Sequence, residues 1–206
     1  TIVGHVALVD EQASVLQAAR QLGISIPTLC DYPTLSPHAS CRLCIVEIEG
    51  TSRTPTSCTT RVEAGMSVRT DSPRLRAMRS ELLRLLLSEH PLSCIICTER
   101  GHCHECMATL RKAGVTTGCR SCTKEGNCEF LQVVDSIGLG DSIHPMHYRY
   151  LPVERMDPFF ERDYNLCVHC GRCIRICESQ YFTGTLTFTS RGTGALVGTA
   201  FGRSHV

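Results

Sequence analysis

Hydrophobic and polar positions in the first seventy residues alternate in short runs, a pattern typical of brief strands. The alternation around a Gly-His turn predicts a hairpin over residues 1–9. Further strands are predicted at residues 44–50 and 67–70. This part of the chain should therefore build a small sheet.

Two segments instead repeat apolar residues every three or four positions, as amphipathic helices do. Ser14 is placed to cap the first helix and Gly23 to end it. Ser72 and Pro73, a cap and a first-turn proline, open the second, which should end at about residue 89. Its predicted buried stripe is Leu75, Met78, Leu82, Leu85 and Leu86. Its predicted solvated face carries Arg74, Arg76, Arg79 and Arg84.

Cysteine is the compositional outlier, at 15 of 206 residues, while tryptophan is absent. Modules with so small an apolar core usually need a disulfide or a metal to hold them together. The odd count, the C-x-x-C pairs and the lack of a secretory leader favour metal or cluster ligation over disulfides. A reducing, cytoplasmic location is expected.

Charge and motifs exclude several classes of function. The 21 Lys and Arg residues offset the 20 Asp and Glu residues, so no nucleic acid partner is expected. No apolar run reaches the roughly 18–20 residues that a membrane span needs. The sequence has no dinucleotide fingerprint, P-loop or nucleophile elbow, so no active site of its own is expected on this chain.

The first cysteine set has the spacing C-x10-C-x2-C-x13-C. It consists of Cys30, Cys41, Cys44 and Cys58. Four thiolates, two for each iron, are what a [2Fe–2S] cluster needs, and the fold must bring the last one in from beyond a hairpin. The alternative is a structural zinc on the same four thiols.

The last cysteine set has the spacing C-x2-C-x2-C-x3-C, the half-motif of a bacterial two-cluster ferredoxin. It consists of Cys167, Cys170, Cys173 and Cys177. Three cysteines at this spacing wrap one [4Fe–4S] cluster, while the fourth characteristically ligates another. Only a Gly- and Thr-rich, strand-like stretch follows, over 181–206. The fourth ligand of this cluster therefore stays open, and a chain incomplete at this end is favoured over a shortened subunit.

The phrases Ile26-Pro27-Thr28-Leu29-Cys30 and Cys41-Arg42-Leu43-Cys44 resemble the N-terminal region of the large iron–sulfur subunit of respiratory complex I. Relatives of that region occur in [FeFe]-hydrogenases, NAD-reducing hydrogenases and formate dehydrogenases. The resemblance implies an α+β fold that begins with a β-grasp [2Fe–2S] ferredoxin domain at 1–72. A small helical cluster domain at 73–150, with an insertion at 94–118, and a partial bacterial-ferredoxin-like segment at 151–206 should follow.

The middle of the chain departs from the family pattern. In the family, a histidine followed by proline joins three cysteines as a [4Fe–4S] ligand, with the signature H-x3-C-x2-C-x5-C. Here C-x2-C-x5-C occurs twice. One histidine and seven cysteines give eight candidate ligands, which is the number that two four-ligand sites need. The favoured partition forms one site from His90, Cys119, Cys122 and Cys128. Its second site is a compact insert that closes on itself through Cys94, Cys97, Cys103 and Cys106.

The alternative partition keeps His90 with Cys94, Cys97 and Cys103, and Cys106 then joins the later three cysteines. A plain helix-terminal role for His90, favoured by the helix dipole, is a further alternative. The extra four-cysteine site suits either zinc or a [4Fe–4S] cluster, because four cysteines serve both. The expected cofactors are one [2Fe–2S] cluster and two [4Fe–4S] clusters, with a third cluster or a zinc ion in the insert.

The resemblance implies an electron-transfer subunit of a multi-subunit oxidoreductase, in a setting of anaerobic metabolism. It would relay single electrons between a flavin-containing NADH-dehydrogenase-like subunit and a further redox or catalytic subunit. Two alternatives remain open: a zinc-stabilised structural or interaction module, and the N-terminal fragment of a larger [FeFe]-hydrogenase or formate dehydrogenase.

Overall fold

The computed structural model describes residues 1–91, 119, 122, 124, 126–139, 144–155 and 158–202. The four cysteines of the predicted insert, Cys94, Cys97, Cys103 and Cys106, lie outside these residues. In chain order, the helices and strands are α1 (Val15–Gln21), β1 (Glu47–Ile48), β2 (Val68–Arg69), α2 (Pro73–Leu87), α3 (Glu129–Ile137), α4 (Arg172–Ser179), β3 (Leu186–Thr189) and β4 (Leu196–Thr199). Helices and short antiparallel sheets together give an α+β, ferredoxin-like architecture.

Helix α1 begins and ends as predicted. The Ser14 hydroxyl accepts a hydrogen bond from the Gln17 backbone N–H at 3.2 Å, and the Gln17 side chain accepts one from the Ser14 N–H at 2.8 Å. This reciprocal capping satisfies two backbone donors that the first helical turn leaves unpaired. Gly23, at φ +72°, adopts the left-handed conformation that follows many helix ends. The apolar face of α1 is fully buried in the core of the first domain.

The first sheet is smaller than the alternation predicts. Strands β1 and β2 pair antiparallel, with Glu47 opposite Arg69. The hairpin predicted over residues 1–9 reduces to a tight turn closed by Ile2 and His5, and Ile2 also pairs in parallel with Val68. Turns and ligand loops occupy the remaining length, so only the sheet centre keeps regular pairing.

Helix α2 begins as predicted at Ser72, whose hydroxyl accepts from the Leu75 N–H at 3.1 Å. The predicted stripe and the predicted solvated face are both partly wrong. Leu85 is 55% exposed, whereas Arg79 is only 5% exposed. The buried stripe follows a strict four-residue spacing, at Leu75, Arg79, Leu83 and Leu87. Arg79 tolerates this position because backbone carbonyls accept its hydrogen bonds.

Helices α2 and α3 pack on the loop that carries the first two cysteines. Their buried residues form one apolar cluster with Leu29, Cys30, Cys41 and Leu43. The [2Fe–2S]-type loop and the middle of the chain therefore share a continuous core. No helix among the described residues has the length and apolar character needed to cross a membrane.

The stretch after α4 forms a hairpin, as its strand-like pattern predicts. Strands β3 and β4 pair antiparallel with Leu186 opposite Thr199. The ring Nε2 of His169 lies 2.9 Å from the Ala195 carbonyl, and Arg149 donates to the Thr193 carbonyl at 3.0 Å. These contacts fix the turn of the hairpin to His169 in the loop of the last cysteine set and to the segment at 144–155 that precedes it.

Helix α4 docks on the first ferredoxin loop through two arginines. Arg172 donates to the Asp31 carbonyl at 2.8 Å, and Arg175 donates to the Ser36 carbonyl at 2.5 Å and to the carbonyl of Cys30. Arg172 also forms an ion pair with a carboxylate on α3. The carbonyls of Asp31 and Cys30 meet charged donors where both are partly withdrawn from water, which makes these two hydrogen bonds comparatively strong.

Replacing both Arg172 and Arg175 with alanine is expected to destabilise the protein by about 2 kcal/mol, because several carbonyls lose charged donors. The melting temperature should then fall by about 4–8 °C, measured anaerobically by calorimetry on the cluster-loaded protein. Arg155→Ala is the matched control, since Arg155 and Glu161 are 57% and 61% exposed and form only a surface ion pair. Equal melting temperatures for the double variant and the control would contradict the docking role.

Candidate iron–sulfur sites

The first cysteine set is buried and brought together. Cys30, Cys41, Cys44 and Cys58 are between 1% and 7% exposed, although nearly thirty residues separate the first from the last. The structure arranges them as two hydrogen-bonded pairs, Cys30 with Cys41 and Cys44 with Cys58. Ala39 and Arg42 take positive φ angles of 56° and 60° on either side of Cys41. Such left-handed backbone at non-glycine positions is costly and persists where the surrounding structure enforces it.

Each pair stabilises one thiolate. A hydrogen bond from the Cys41 thiol, helped by donors of Ser40, lowers the pKa of Cys30 to about 5. A hydrogen bond from the Cys58 thiol lowers the pKa of Cys44 to about 7. The pKa values of Cys41 and Cys58 are raised, first by the same hydrogen bonds and then by burial. Thiolates are the form that ligates metals, and two pairs of thiols match the two irons of a [2Fe–2S] cluster.

Ser57 lies fully buried beside this set. Its hydroxyl has no partner within strict hydrogen-bond geometry among the described residues, yet it faces the Cys44 sulfur and helps to lower the pKa of that thiol. A buried hydroxyl normally donates a hydrogen bond to an acceptor, and here the nearby acceptor is the sulfur of Cys44. The donor set therefore fits a sulfur-ligated cluster.

Ser57→Ala is expected to lower the reduction potential of the bound [2Fe–2S] cluster, because hydrogen bonds to the sulfurs stabilise the reduced form. We expect about a threefold change in the reduction equilibrium constant, or about 30 mV for a one-electron couple. A redox titration followed by electron paramagnetic resonance (EPR) measures it. Ser52→Ala, at an exposed position in the same domain, serves as the control, and equal potentials in the two variants would refute the contact.

The middle ligand set lines one cavity of about 350 Å³. The cavity is lined by His90, Cys119, Cys122 and Cys128. Backbone N–H groups already donate to two of the sulfurs: that of Lys124 to Cys122 and that of Leu131 to Cys128, both at 3.4 Å. Cys128 thus caps α3 through its sulfur.

His90 has the protonation that a metal ligand requires. Burial lowers its pKa, which keeps the imidazole neutral. Its Nδ1 lies 3.0 Å from the Pro91 carbonyl, and the ring packs edge-on against Phe130 at 5.0 Å between centroids. Because a carbonyl can only accept, Nδ1 carries the proton and Nε2 keeps its lone pair for ligation.

The structure thus gathers the members of the favoured partition around one cavity. The second set of that partition, Cys94, Cys97, Cys103 and Cys106, lies outside the described residues, so the partition stays a prediction. Among the described residues, no three His, Cys, Asp or Glu side chains converge as the ligands of a single metal ion would.

In the last set, three cysteines lie near one another and the fourth has different neighbours. Cys173 is exposed by its surface area, but neighbouring atoms desolvate its thiol and raise its pKa, and Cys170 and Cys167 raise it further, so these three lie within electrostatic reach of one another. The Cys177 sulfur instead lies 3.0 Å from the Thr183 hydroxyl and 3.3 Å from that of Thr185. Burial opposes ionisation of Cys177, but these hydroxyls and neighbouring backbone N–H groups lower its pKa to about 7. That Cys177 ligates a different cluster stays a prediction.

The three ligand sets adjoin one another. The cavity of the middle set is also lined by Leu29, next to Cys30, and by Cys170 of the last set. Arg175, two positions after Cys173, donates to the Cys30 carbonyl. A hydrogen bond from α4, which carries Cys173, thus joins the backbone of the first set, and the cavity of the middle set reaches Cys170 and the neighbour of Cys30.

Comparison with known families agrees with these sites. Residues 1–73 match a 2Fe-2S iron-sulfur cluster binding domain, and residues 159–181 match a 4Fe-4S binding domain. The chain is 37% identical over 172 residues to an NADH-quinone oxidoreductase subunit of Rhizobium meliloti (strain 1021), covering 82% of this chain and 17% of that protein. Over most of its length the chain is similar to the iron–sulfur region of the complex I large iron–sulfur subunit family and of its hydrogenase relatives. The predicted [2Fe–2S] and [4Fe–4S] cofactors are confirmed at the level of these two domains.

Hydrogenase relatives extend the family. The NADP-reducing hydrogenase subunit HndD of Solidesulfovibrio fructosivorans is 33% identical over 210 residues, covering 98% of this chain and 31% of that protein. A chain in the crystal structure of an NAD+-reducing [NiFe]-hydrogenase in the H2-reduced state superposes with a TM-score of 0.78 at 26% identity, covering 97% of this chain and 73% of that one. The chain spans less than a third of the length of the two curated relatives.

Two residues near the first site were missed by sequence reasoning. Ser57 directly precedes a cysteine ligand candidate, and that adjacency was its only sequence signal. Arg79 was assigned to a solvated face, although its spacing of four from Leu75 and Leu83 places it in the buried stripe.

Proposed function

We propose that this chain relays single electrons within a multi-subunit oxidoreductase of the complex I and hydrogenase type. The observation that carries the proposal is the cavity of the middle set, since its wall also includes Cys170 of the last set and Leu29, the residue before Cys30 of the first set. Groups that exchange single electrons must lie close together, and this chain holds three candidate ligand sets side by side. When bound, iron–sulfur clusters supply one-electron redox chemistry.

The residues of the chain hold and tune these groups. We assign the [2Fe–2S] cluster to Cys30, Cys41, Cys44 and Cys58. We assign a [4Fe–4S] cluster to His90, Cys119, Cys122 and Cys128. A second [4Fe–4S] cluster is assigned to Cys167, Cys170 and Cys173, with its fourth ligand outside this set if Cys177 serves another cluster. The four-cysteine insert would hold zinc or a further cluster.

The finer architecture follows the same assignment. A β-grasp ferredoxin domain at 1–72, a helical cluster domain at 73–150 and a ferredoxin-like segment from 151 fit the family matches and the two sheets. We further propose a flavin-containing NADH-dehydrogenase-like partner, a second redox or catalytic subunit, and a cytoplasmic location. The partners are supported by the names of the relatives, which are subunits of an NADH-quinone oxidoreductase and an NADP-reducing hydrogenase. The location is supported by the C-x-x-C spacing of the cysteines. This spacing is typical of metal ligation rather than disulfides, and cysteines stay reduced for ligation in the cytoplasm.

A second candidate is the same electron relay inside a larger enzyme chain that carries its own active site. The observation that favours it is coverage, because this chain spans only 31% of a hydrogenase subunit to which it is 33% identical. The intact mass of the native subunit distinguishes the two. A mass near 22.7 kDa supports a separate relay subunit, and a mass several times larger supports the longer enzyme.

Metal analysis of the anaerobically purified native protein tests the relay itself. One [2Fe–2S] and two [4Fe–4S] clusters predict about ten irons per chain, with a matching amount of acid-labile sulfide and at least two distinct EPR signals after reduction. Little iron with several zinc ions per chain would overturn the relay. That result would support a zinc-stabilised structural or interaction module instead.

A further inference from the structure

Arg79 is an unusual residue for the interior of a small domain. It lies on the buried stripe of α2 between Leu75 and Leu83, and only 5% of its surface is exposed. Charged side chains are almost never buried to this degree unless an opposite charge or a metal accompanies them. The charge of Arg79 therefore calls for an explanation beyond packing.

The guanidinium group donates hydrogen bonds to backbone carbonyls next to a candidate cluster ligand. Its Nε donates to the Leu43 carbonyl at 3.1 Å, and one terminal nitrogen donates to the Ile45 carbonyl at 2.6 Å and to the Thr70 carbonyl at 2.9 Å. Leu43 and Ile45 are the two neighbours of Cys44 in the chain. The fork of Arg79 thus holds the peptide group directly before Cys44 and the second peptide group after it, a geometry that the single ammonium group of lysine reproduces only in part.

These hydrogen bonds use three of the five N–H donors of Arg79 but leave its charge without a counter-ion. In the part of the chain that the structure describes, no carboxylate pairs with Arg79. Asp71 acts on it only at longer range, because that carboxylate is 52% exposed and forms its ion pair with Arg76. Burial lowers the pKa of Arg79, while Asp71 and the Cys44 thiol both raise it, which places the Cys44 sulfur within electrostatic reach.

A ligated [2Fe–2S] cluster is an anion, because four thiolates and two sulfides outweigh the charge of two ferric ions. Adding one electron makes it more negative still. A nearby cation shielded from water stabilises the form that holds the extra electron, and such charges interact strongly because water screens them little. The protein thereby raises the reduction potential of the site.

We propose that Arg79 is the buried counter-charge of the [2Fe–2S] site and that its positive charge raises the potential of that site. The inference rests on the proposed function, because it requires a cluster on the first cysteine set. Arg79 is a positioning residue that acts through its charge and through the carbonyls of Leu43 and Ile45, the neighbours of Cys44. It also explains why an arginine occupies a stripe otherwise made of leucine.

The test is an EPR-monitored redox titration of the native chain, purified anaerobically with its partner subunits. Arg79→Gln and Arg79→Met, which remove the charge, should lower the equilibrium constant for reduction of the [2Fe–2S] cluster about tenfold. Arg79→Lys, which keeps the charge but loses the fork, should stay within about twofold of the wild type. The control is Arg74→Gln on the same helix, which loses only a hydrogen bond to the Ser52 carbonyl at the surface and should change nothing.

The outcomes separate charge from structure. An unchanged potential in Arg79→Gln, or a potential in Arg79→Lys as low as in Arg79→Gln, overturns the proposal and leaves Arg79 a purely structural clamp. If the neutral variants assemble no cluster, Arg79→Lys decides: assembly with an unchanged potential supports the counter-charge, and failure to assemble refutes it. Absence of any [2Fe–2S] signal in the wild type would instead refute the proposed function.

Discussion

Cys119→Ser is expected to abolish the same [4Fe–4S] EPR signal that His90→Ala abolishes. Both residues line the 350 Å³ cavity, and the cavity wall also carries Cys122 and Cys128. A cluster that loses one of its four ligands is expected to be lost or to change its spectrum completely, because ligand type and number set its properties. The expected effect is loss of about four irons per chain together with that signal.

Cys94→Ser and Cys106→Ser complete this test of the ligand partition. In the favoured partition both remove the metal of the insert and leave the histidine-dependent signal intact. If Cys94→Ser instead matched His90→Ala, and Cys106→Ser matched Cys119→Ser, the alternative partition would be correct. Zinc and iron counts on the same samples identify the metal of the insert, since its four cysteines suit either.

Cys173→Ser and Cys177→Ala are expected to behave differently, although both residues belong to one motif. Cys173 lies within electrostatic reach of Cys167 and Cys170, whereas the Cys177 sulfur contacts two threonine hydroxyls. We expect Cys173→Ser to eliminate the cluster of the first three cysteines, with loss of about four irons. Cys177→Ala should retain that cluster and its EPR signal.

Iron content and low-temperature EPR spectra of the two variants, prepared side by side, measure this difference. Thr183→Val provides the control, because it removes one hydroxyl beside Cys177 and no sulfur. Loss of the same signal in Cys173→Ser and Cys177→Ala would show that Cys177 completes the cluster. Such a result would require α4 to turn its buried Cys177 away from the threonines.

Local signals predicted the local structure well. The Ser14 cap, the Gly23 end and the Ser72–Pro73 opening are short-range features, and each depends on backbone donors within one helical turn. Cysteine spacing likewise indicated the [2Fe–2S] and [4Fe–4S] domains that the family matches confirm. Spacing carries this information because cluster geometry restricts how far apart ligands on one loop can lie.

Contacts between residues far apart in the chain were not predicted from the sequence. Arg79 looked like one more solvated arginine, because the carbonyls that bury it come from Leu43, Ile45 and Thr70. The strands of the first sheet came out shorter than predicted, since alternation cannot show where turns and ligand loops interrupt pairing. The local sequence pattern does not predict the contact of α4 with the Cys30 loop. An arginine on the polar face of a helix gives no signal that tells a distant backbone partner from solvent.

The contact between Arg175 and Cys30 also bears on the order of events during biosynthesis. Because 145 positions separate the two residues, the contact can form only after almost the whole described chain has left the ribosome. Until then, the loop with Cys30 lacks the cover of α4, although α2 and α3 already pack on it, and it is more open to the proteins that deliver iron and sulfide. Once α4 docks, its two arginines cover this loop. Cluster delivery to the first site is therefore expected to be easiest during translation and slower afterwards.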